Sequence, residues 1–285
     1  MAVLGKNKLI QPTQTAERQV DSANRDSRLA LAGTQQNIEL VNAHADALSP
    51  SVMPMDGLTE GYWPCDDPVG SLVIGQVLPG KAGQLTLSAG AVPGYVSELG
   101  GKCLRMYDDP VLLNVRAQGT IVAPTSSTGS LSAWFWTGWS AVGGAAQYNV
   151  LGHSSLGGAS AHFLFRALTT AAGQITFRSV CATSGVSGVC DAPGDSFVST
   201  GAWHHIGMTY NGTILILYLD GRGISSASAS GNITWTTGGS SAMLIGTDGT
   251  LRGYPGFVRD IMLHTAARPR EWFEEAYLRG RGRFF

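Results

Sequence analysis

The stretch Gly201–Gly221, GAWHHIGMTYNGTILILYLDG, constrains the fold more than any other part of the chain. Asn211-Gly212 suits a two-residue turn whose central positions need φ > 0, and strand-like sequence runs on both sides, so the segment reads as a β-hairpin. A turn centred on that dipeptide pairs Tyr210 with Thr213. It predicts Met208 opposite Leu215, Ile206 opposite Leu217 and His204 opposite Leu219, an apolar face with His204 at its end. Alternation sends His205, Gly207 and Thr209 to the other face, beside Ile214, Ile216 and Tyr218. The second strand is apolar on both sides, which suits a central strand of an antiparallel sheet with both faces at least partly covered. The face carrying His205, Thr209, Ile216 and Tyr218 is either a ligand surface or a buried contact with a neighbouring subunit. Ile214 and Ile216 favour burial.

The rest of the chain agrees with an all-β body. Among 285 residues there are 38 Gly and only 14% charged side chains, the composition of many short strands joined by tight turns. A formal net charge of −1 supplies no electrostatic reason for nucleic acid or an anionic membrane as partner. No run approaches the roughly 20 apolar residues of a membrane span, and the opening MAVLGKNKLIQPTQ has no apolar core of the signal-peptide type. Four cysteines are too few for a disulfide-built scaffold. Cys181 and Cys190 flank the Gly-punctuated run ATSGVSGV, so they either face each other across a hairpin as a disulfide or remain free thiols.

Residues 1–14 form an extended polar arm. Residues 15–50 change character: Leu31, Thr34, Ile38, Val41, Ala45 and Leu48 are spaced 3, 4, 3, 4, 3, a heptad seam on a helix. A lone helix with so narrow an apolar stripe is marginal in water. It either oligomerises through Leu31, Ile38, Val41 and Leu48, with a homotrimer as the expected assembly, or packs on its own subunit. Ser49-Pro50 and Pro54 end the segment.

The body begins near Leu58 and carries the motifs of a known family. The Trp-His-His strand leading through a turn to Leu-Tyr-Leu-Asp-Gly at 203–221, the strand SLSAWFW at 130–136, Leu244-Ile245-Gly246, and GFVRDIMLH followed by an acidic helix after Pro269 resemble the laminin-G-like, concanavalin A-like jelly-roll family. Gly61-Tyr62-Trp63-Pro64-Cys65-Asp66-Asp67 is similar to its opening strand, although Ile74-Gly75 stands where the family often has a further Asp. The resemblance covers residues 58–279. It implies two antiparallel sheets packed face to face with jelly-roll connections. Residues 280–285 are a basic-aromatic tail that either docks on a neighbouring subunit or frays.

The chemistry available to such a body is limited. Family members that hydrolyse glucans carry paired carboxylates on one strand, as in Glu-x-Asp-x-x-Glu, and this chain has no such run. The adjacent His204 and His205 point to opposite faces of a strand and cannot chelate one ion together. Trp134 and Trp136 share a strand face that is either a core layer or a stacking platform for a ring-shaped ligand. The resemblance implies calcium at the sandwich rim for some members, with Asp66, Asp67, Asp220 and Asp248 as candidate ligands here. Asp before Gly in two of these is also simple turn chemistry. No other cofactor is implied.

These readings converge on a non-enzymatic structural or adhesive subunit of a bacteriophage virion, in a capsid-decoration, head-fibre or tail-associated position. Its arm and helix would anchor or trimerise it, and its jelly roll would face outward toward other virion or cell-surface proteins. The alternative is an extracellular, carbohydrate-binding lectin-like module using His205, Thr209, Tyr218, Trp134 and Trp136. A glycoside hydrolase fits least.

Overall fold

The structure, a computed structural model, describes residues 56–281 apart from 68–70, 72, 76–77, 79–84, 88–91, 97–100, 107–115, 120–125, 137–146, 156–160, 170–173, 195, 236–240, 247–251 and 254–255. The chain divides at Val52/Met53 into two units, and the described residues all lie in the second. The arm, the heptad segment with Leu31, Ile38, Val41 and Leu48, and Asp248 lie outside the described residues.

Alternating apolar and polar residues separated by turns build the strands β1 (Thr59–Trp63), β2 (Val73–Ile74), β3 (Leu85–Leu87), β4 (Val92–Val96), β5 (Gly101–Met106), β6 (Arg116–Gly119), β7 (Gly129–Trp136), β8 (Gln147–Ser155), β9 (Ala161–Thr169), β10 (Ile175–Cys181), β11 (Gly188–Asp191), β12 (Trp203–Tyr210), β13 (Ile214–Leu219), β14 (Arg222–Ser228), β15 (Ser241–Gly246), β16 (Arg252–Gly253) and β17 (Gly256–His264), with one helix among the described residues, α1 (Arg270–Arg281). Sheet one runs β14-β13-β12-β7-β17-β5-β4, with β1 also on β17; sheet two runs β11-β10-β9-β8-β15-β6-β3-β2, with β16 on β8. This is the expected all-β, two-sheet jelly-roll sandwich. Its described pairings are antiparallel except β16 with β8.

The core lies between the sheets. Leu131, Ala133, Phe135, Ile206, Met208, Leu215 and Leu217 from sheet one meet Phe163, Phe165, Phe177, Met243 and Ile245 from sheet two. Phe135 and Phe177 touch across the layer with ring centroids 6.0 Å apart. Each of the Leu, Ile, Met and Phe side chains contributes roughly 1.5–3 kcal/mol on burial.

The hairpin keeps the expected faces but not the expected partners. Ile206 pairs with Leu219, Met208 with Leu217 and Tyr210 with Leu215. The reason is the Asn211 side chain, whose Oδ1 accepts from the Thr213 and Ile214 backbone N–H groups (3.0 and 2.9 Å) and so moves the turn one residue along the chain. Gly212 takes the positive φ of 99°. A one-residue move of the turn slips the pairing by two, which preserves strand parity and therefore the core face.

The Cys181–Cys190 pairing is corrected. Cys181 lies opposite Gly188 and Cys190 opposite Ser179, so the register offsets the two sulfurs along the hairpin. Both are buried free thiols.

Helix α1 packs on the outer face of sheet one, covering His205, Gly207, Tyr218 and Trp134 and leaving Ile214 exposed and Trp136 partly so. Pro269 stands just before it, Glu271 lies in its first turn, and Arg279 and Arg281 lie in its last, all in the sense that the helix dipole favours. The expected tail thus begins as helix at Gly280 and Arg281. Trp272, Phe273, Ala276 and Gly280 form the buried stripe. Phe273 stacks on Tyr218 at 4.0 Å and 13°. It also fills the space above Gly207, where a Cβ would stand 2.4 Å from its ring. Gly280 lies as tightly on Trp134, with 2.5 Å from a built Cβ to the indole. Gly207→Ala is therefore expected to destabilise the domain by about 1–3 kcal/mol through overpacking. Chemical denaturation measures this, and combining it with Phe273→Ala should cost less than the sum of the two single changes.

Candidate functional site

The sheet-one face that the sequence offers as a ligand surface is occupied by the chain's own helix. His205 and Trp134 are 0% exposed, Tyr218 3% and Thr209 4%. This corrects their assignment as exposed ligand-binding residues. Trp134 lies between His205 and Tyr277, with ring centroids 5.3 and 5.8 Å away. Trp136 alone of the five keeps partial exposure, edge-on to Phe257 at 5.2 Å. The spacing of Trp272, Phe273, Ala276 and Gly280 was the available signal for this burial.

The buried layer beneath α1 is polar as well as aromatic. A bulge in β17, between the pairs Arg259↔Trp134 and Met262↔Ser132, sets Asp260 at φ 50°. Its carboxylate accepts from the Tyr62 hydroxyl at 2.7 Å and from Arg259 Nε at 3.1 Å. Arg268 donates two bonds to Asp56, one of them 2.7 Å, and a third to His264 Nδ1 at 3.0 Å, while its guanidinium lies over Trp272. The Arg268 hydrogen bond holds the Asp56 carboxyl down at about 2.

Burial, joined by the Arg268 charge, pushes His264 down to about 3. Burial pushes His205 down to about 4, and neither of its ring nitrogens has a hydrogen-bond partner. The unfolded chain, with histidines near their ordinary value of 6.5, thus binds protons first as the pH falls. Stability is complete above pH 6.5 and is lost as the pH drops toward those folded values, by about 2 kcal/mol per histidine at about pH 5. Urea midpoints at about pH 7.5 and 5 should show this loss, in a window above the range where Asp56 titrates.

A second constellation lies at the start of the hairpin. His204 Nδ1 meets Asp220 Oδ2 at 2.8 Å and its Nε2 meets Ser199 Oγ at 2.9 Å. This is the connectivity of a serine–histidine–aspartate relay. Its other bonds give it a structural task. The second Asp220 oxygen accepts from the His205 N–H at 2.9 Å, and the Ser199 carbonyl lies 3.3 Å from Nε2. The trio clamps the turn into β12 onto the Asp220-Gly221 turn, where Asp220 has φ 51°.

The described calcium candidates do not converge. Asp220 is taken by this clamp, and Asp67 accepts from the Gly75 N–H at 3.0 Å. Asp66 is exposed beside it. Among the described residues no three His, Cys, Asp or Glu side chains gather as a metal site.

The outer face of sheet two carries a different pattern, missed in the sequence because it depends on cross-strand register. Arg166 lies opposite Arg178, and Arg178 opposite Asp191, in one row across β9, β10 and β11. Arg178 grips Asp191 with two bonds, the Nη2–Oδ2 bond being 2.9 Å. Val180 lies opposite both Leu164 and Val189 in the next row.

Two face-to-face antiparallel sheets with jelly-roll order, one outer face partly covered by a helix, define a lectin-type sandwich. Residues 115–272 match the model of the concanavalin A-like lectin/glucanases superfamily, and the chain belongs to that superfamily. No curated protein matches it. Among solved structures it resembles the receptor binding domain of botulinum neurotoxin D (TM-score 0.54, 10% identity, 79% of this chain and 53% of that one). It also resembles the binding domain of Paraclostridial Mosquitocidal Protein 1 (0.52, 13%, 77% and 51%) and Trypanosoma rangeli sialidase in complex with sialic acid (0.54, 12%, 88% and 39%). The chain thus spans about half or less of these chains, and the likeness is one of fold.

Proposed function

We propose that the chain is a non-enzymatic adhesive subunit whose jelly roll binds a cell-surface glycan through the outer face of sheet two, in the setting of a bacteriophage virion. The observation that carries the binding surface is the Arg166–Arg178–Asp191 row on one outer face while α1 occupies the other. Planar guanidinium groups match carboxylates and sugar hydroxyls, and the Val180 and Val189 patch beside them offers an apolar edge. Two of the structures similar in fold are named as binding domains, which supports the same reading. The virion setting is supported by the polar arm and heptad segment that precede the jelly roll.

A glycan array that includes acidic sugars should show binding by the full chain. Arg178→Ala should weaken it while leaving stability within about 1 kcal/mol, since the Arg178–Asp191 pair is a surface ion pair. Silence across the array would remove the glycan reading. For the assembly, light scattering on the full chain should give a trimer and removal of residues 1–50 a monomer; a full chain that runs as a monomer would remove the trimer.

A further inference from the structure

At one end of the sandwich, β8 and β9 bring two histidines together by an irregularity in their pairing. His153 pairs with Phe163 and Ser154 with Ala161, which leaves His162 as an extra residue on β9. Strict alternation would send His162 and Phe163 to opposite faces. The bulge re-aims His162 so that its ring lies 5.9 Å from that of His153. Both residues are buried, at 1% and 4% exposure.

The surroundings leave these imidazoles poorly served as ordinary core residues. Trp235 meets His153 edge-on at 5.4 Å and Phe163 at 5.6 Å, and its indole N–H donates to the Ser126 carbonyl at 2.9 Å. Neither ring nitrogen of His153 has a hydrogen-bond partner among protein atoms, and His162 has at most a weak contact with the Thr234 backbone. Buried polar atoms gathered in one place without partners call for a bound species.

A third donor comes from β15, where Met243 lies directly opposite His153 and is fully buried. Directly opposite residues share a face with Cβ atoms about 4.5–5.5 Å apart. With metal–nitrogen bonds of about 2.0–2.1 Å, one ion between two imidazoles places the ring centroids roughly 5–6 Å apart. We propose that His153, His162 and Met243 form a binding site for Cu(I). Copper is the ion common to imidazole and thioether preferences.

The test is a titration of the full chain with Cu(I) under anaerobic conditions, in competition with bicinchoninate, with Ag(I) as a redox-inert second probe. The expected result is one tight equivalent. Outer-shell partners alone are worth roughly 10- to 100-fold in metal affinity, so His153→Leu or His162→Leu should weaken binding by at least about tenfold. Met243→Leu, which conserves volume and keeps the fold, should weaken it too. No stoichiometric binding, or an affinity unchanged from that of the unsubstituted chain in Met243→Leu and both histidine variants, would overturn the site. The latter result would assign the ion to the thiols of Cys65, Cys103, Cys181 or Cys190.

Discussion

The packing of Phe273 into the space above Gly207 decides how the rest of the molecule can be used. Any side chain at residue 207 would meet the ring, so the glycine in β12 and the aromatic in α1 form one unit. Through it the helix lies on sheet one, Phe273 stacks on Tyr218, and Gly280 rests on Trp134. The face of sheet one that points away from the core therefore becomes a second, smaller core. A binding surface has to be sought elsewhere on the sandwich.

That second core is unusual in its polarity. Asp260, Arg259, His205 and His264 lie in it with exposures of 5% or less. Asp260 is held by Tyr62 and Arg259, and His264 by Arg268, which also reaches Asp56 near the start of the body. A polar layer of this kind ties the first and last described segments of the body together across the sheet. It also makes the docking of α1 sensitive to proton uptake, because a charged imidazole has little to solvate it there.

Much of the fold was legible in residue order. The hairpin 201–221, the strand 130–136 and the closing strand and helix were placed by alternation, turn residues and family resemblance, and the structure has them there. The site was legible only in part. His205, Thr209 and Tyr218 were assigned to the correct face, and the half-buried Ile216 hinted at its burial while Ile214 is exposed, contrary to expectation, but the covering element lay some fifty residues away in sequence. The Arg166–Arg178–Asp191 row and the His153–His162 pair depend on register and on a bulge, and neither leaves a local mark in the sequence. The cysteine pair failed for the same reason, since a loop with the right flanks does not set which residues stand opposite.

Strand parity was determined by the sequence alone. Side chains alternate with period two, and the slip of the hairpin pairing by two residues left Ile206, Met208, Leu215 and Leu217 in the core. Only the tertiary structure decided the fate of the opposite face. An apolar strand face is satisfied equally by a ligand, a second subunit or the chain's own helix, and the choice was made by the fit of Phe273 and Gly280 against Gly207 and Trp134.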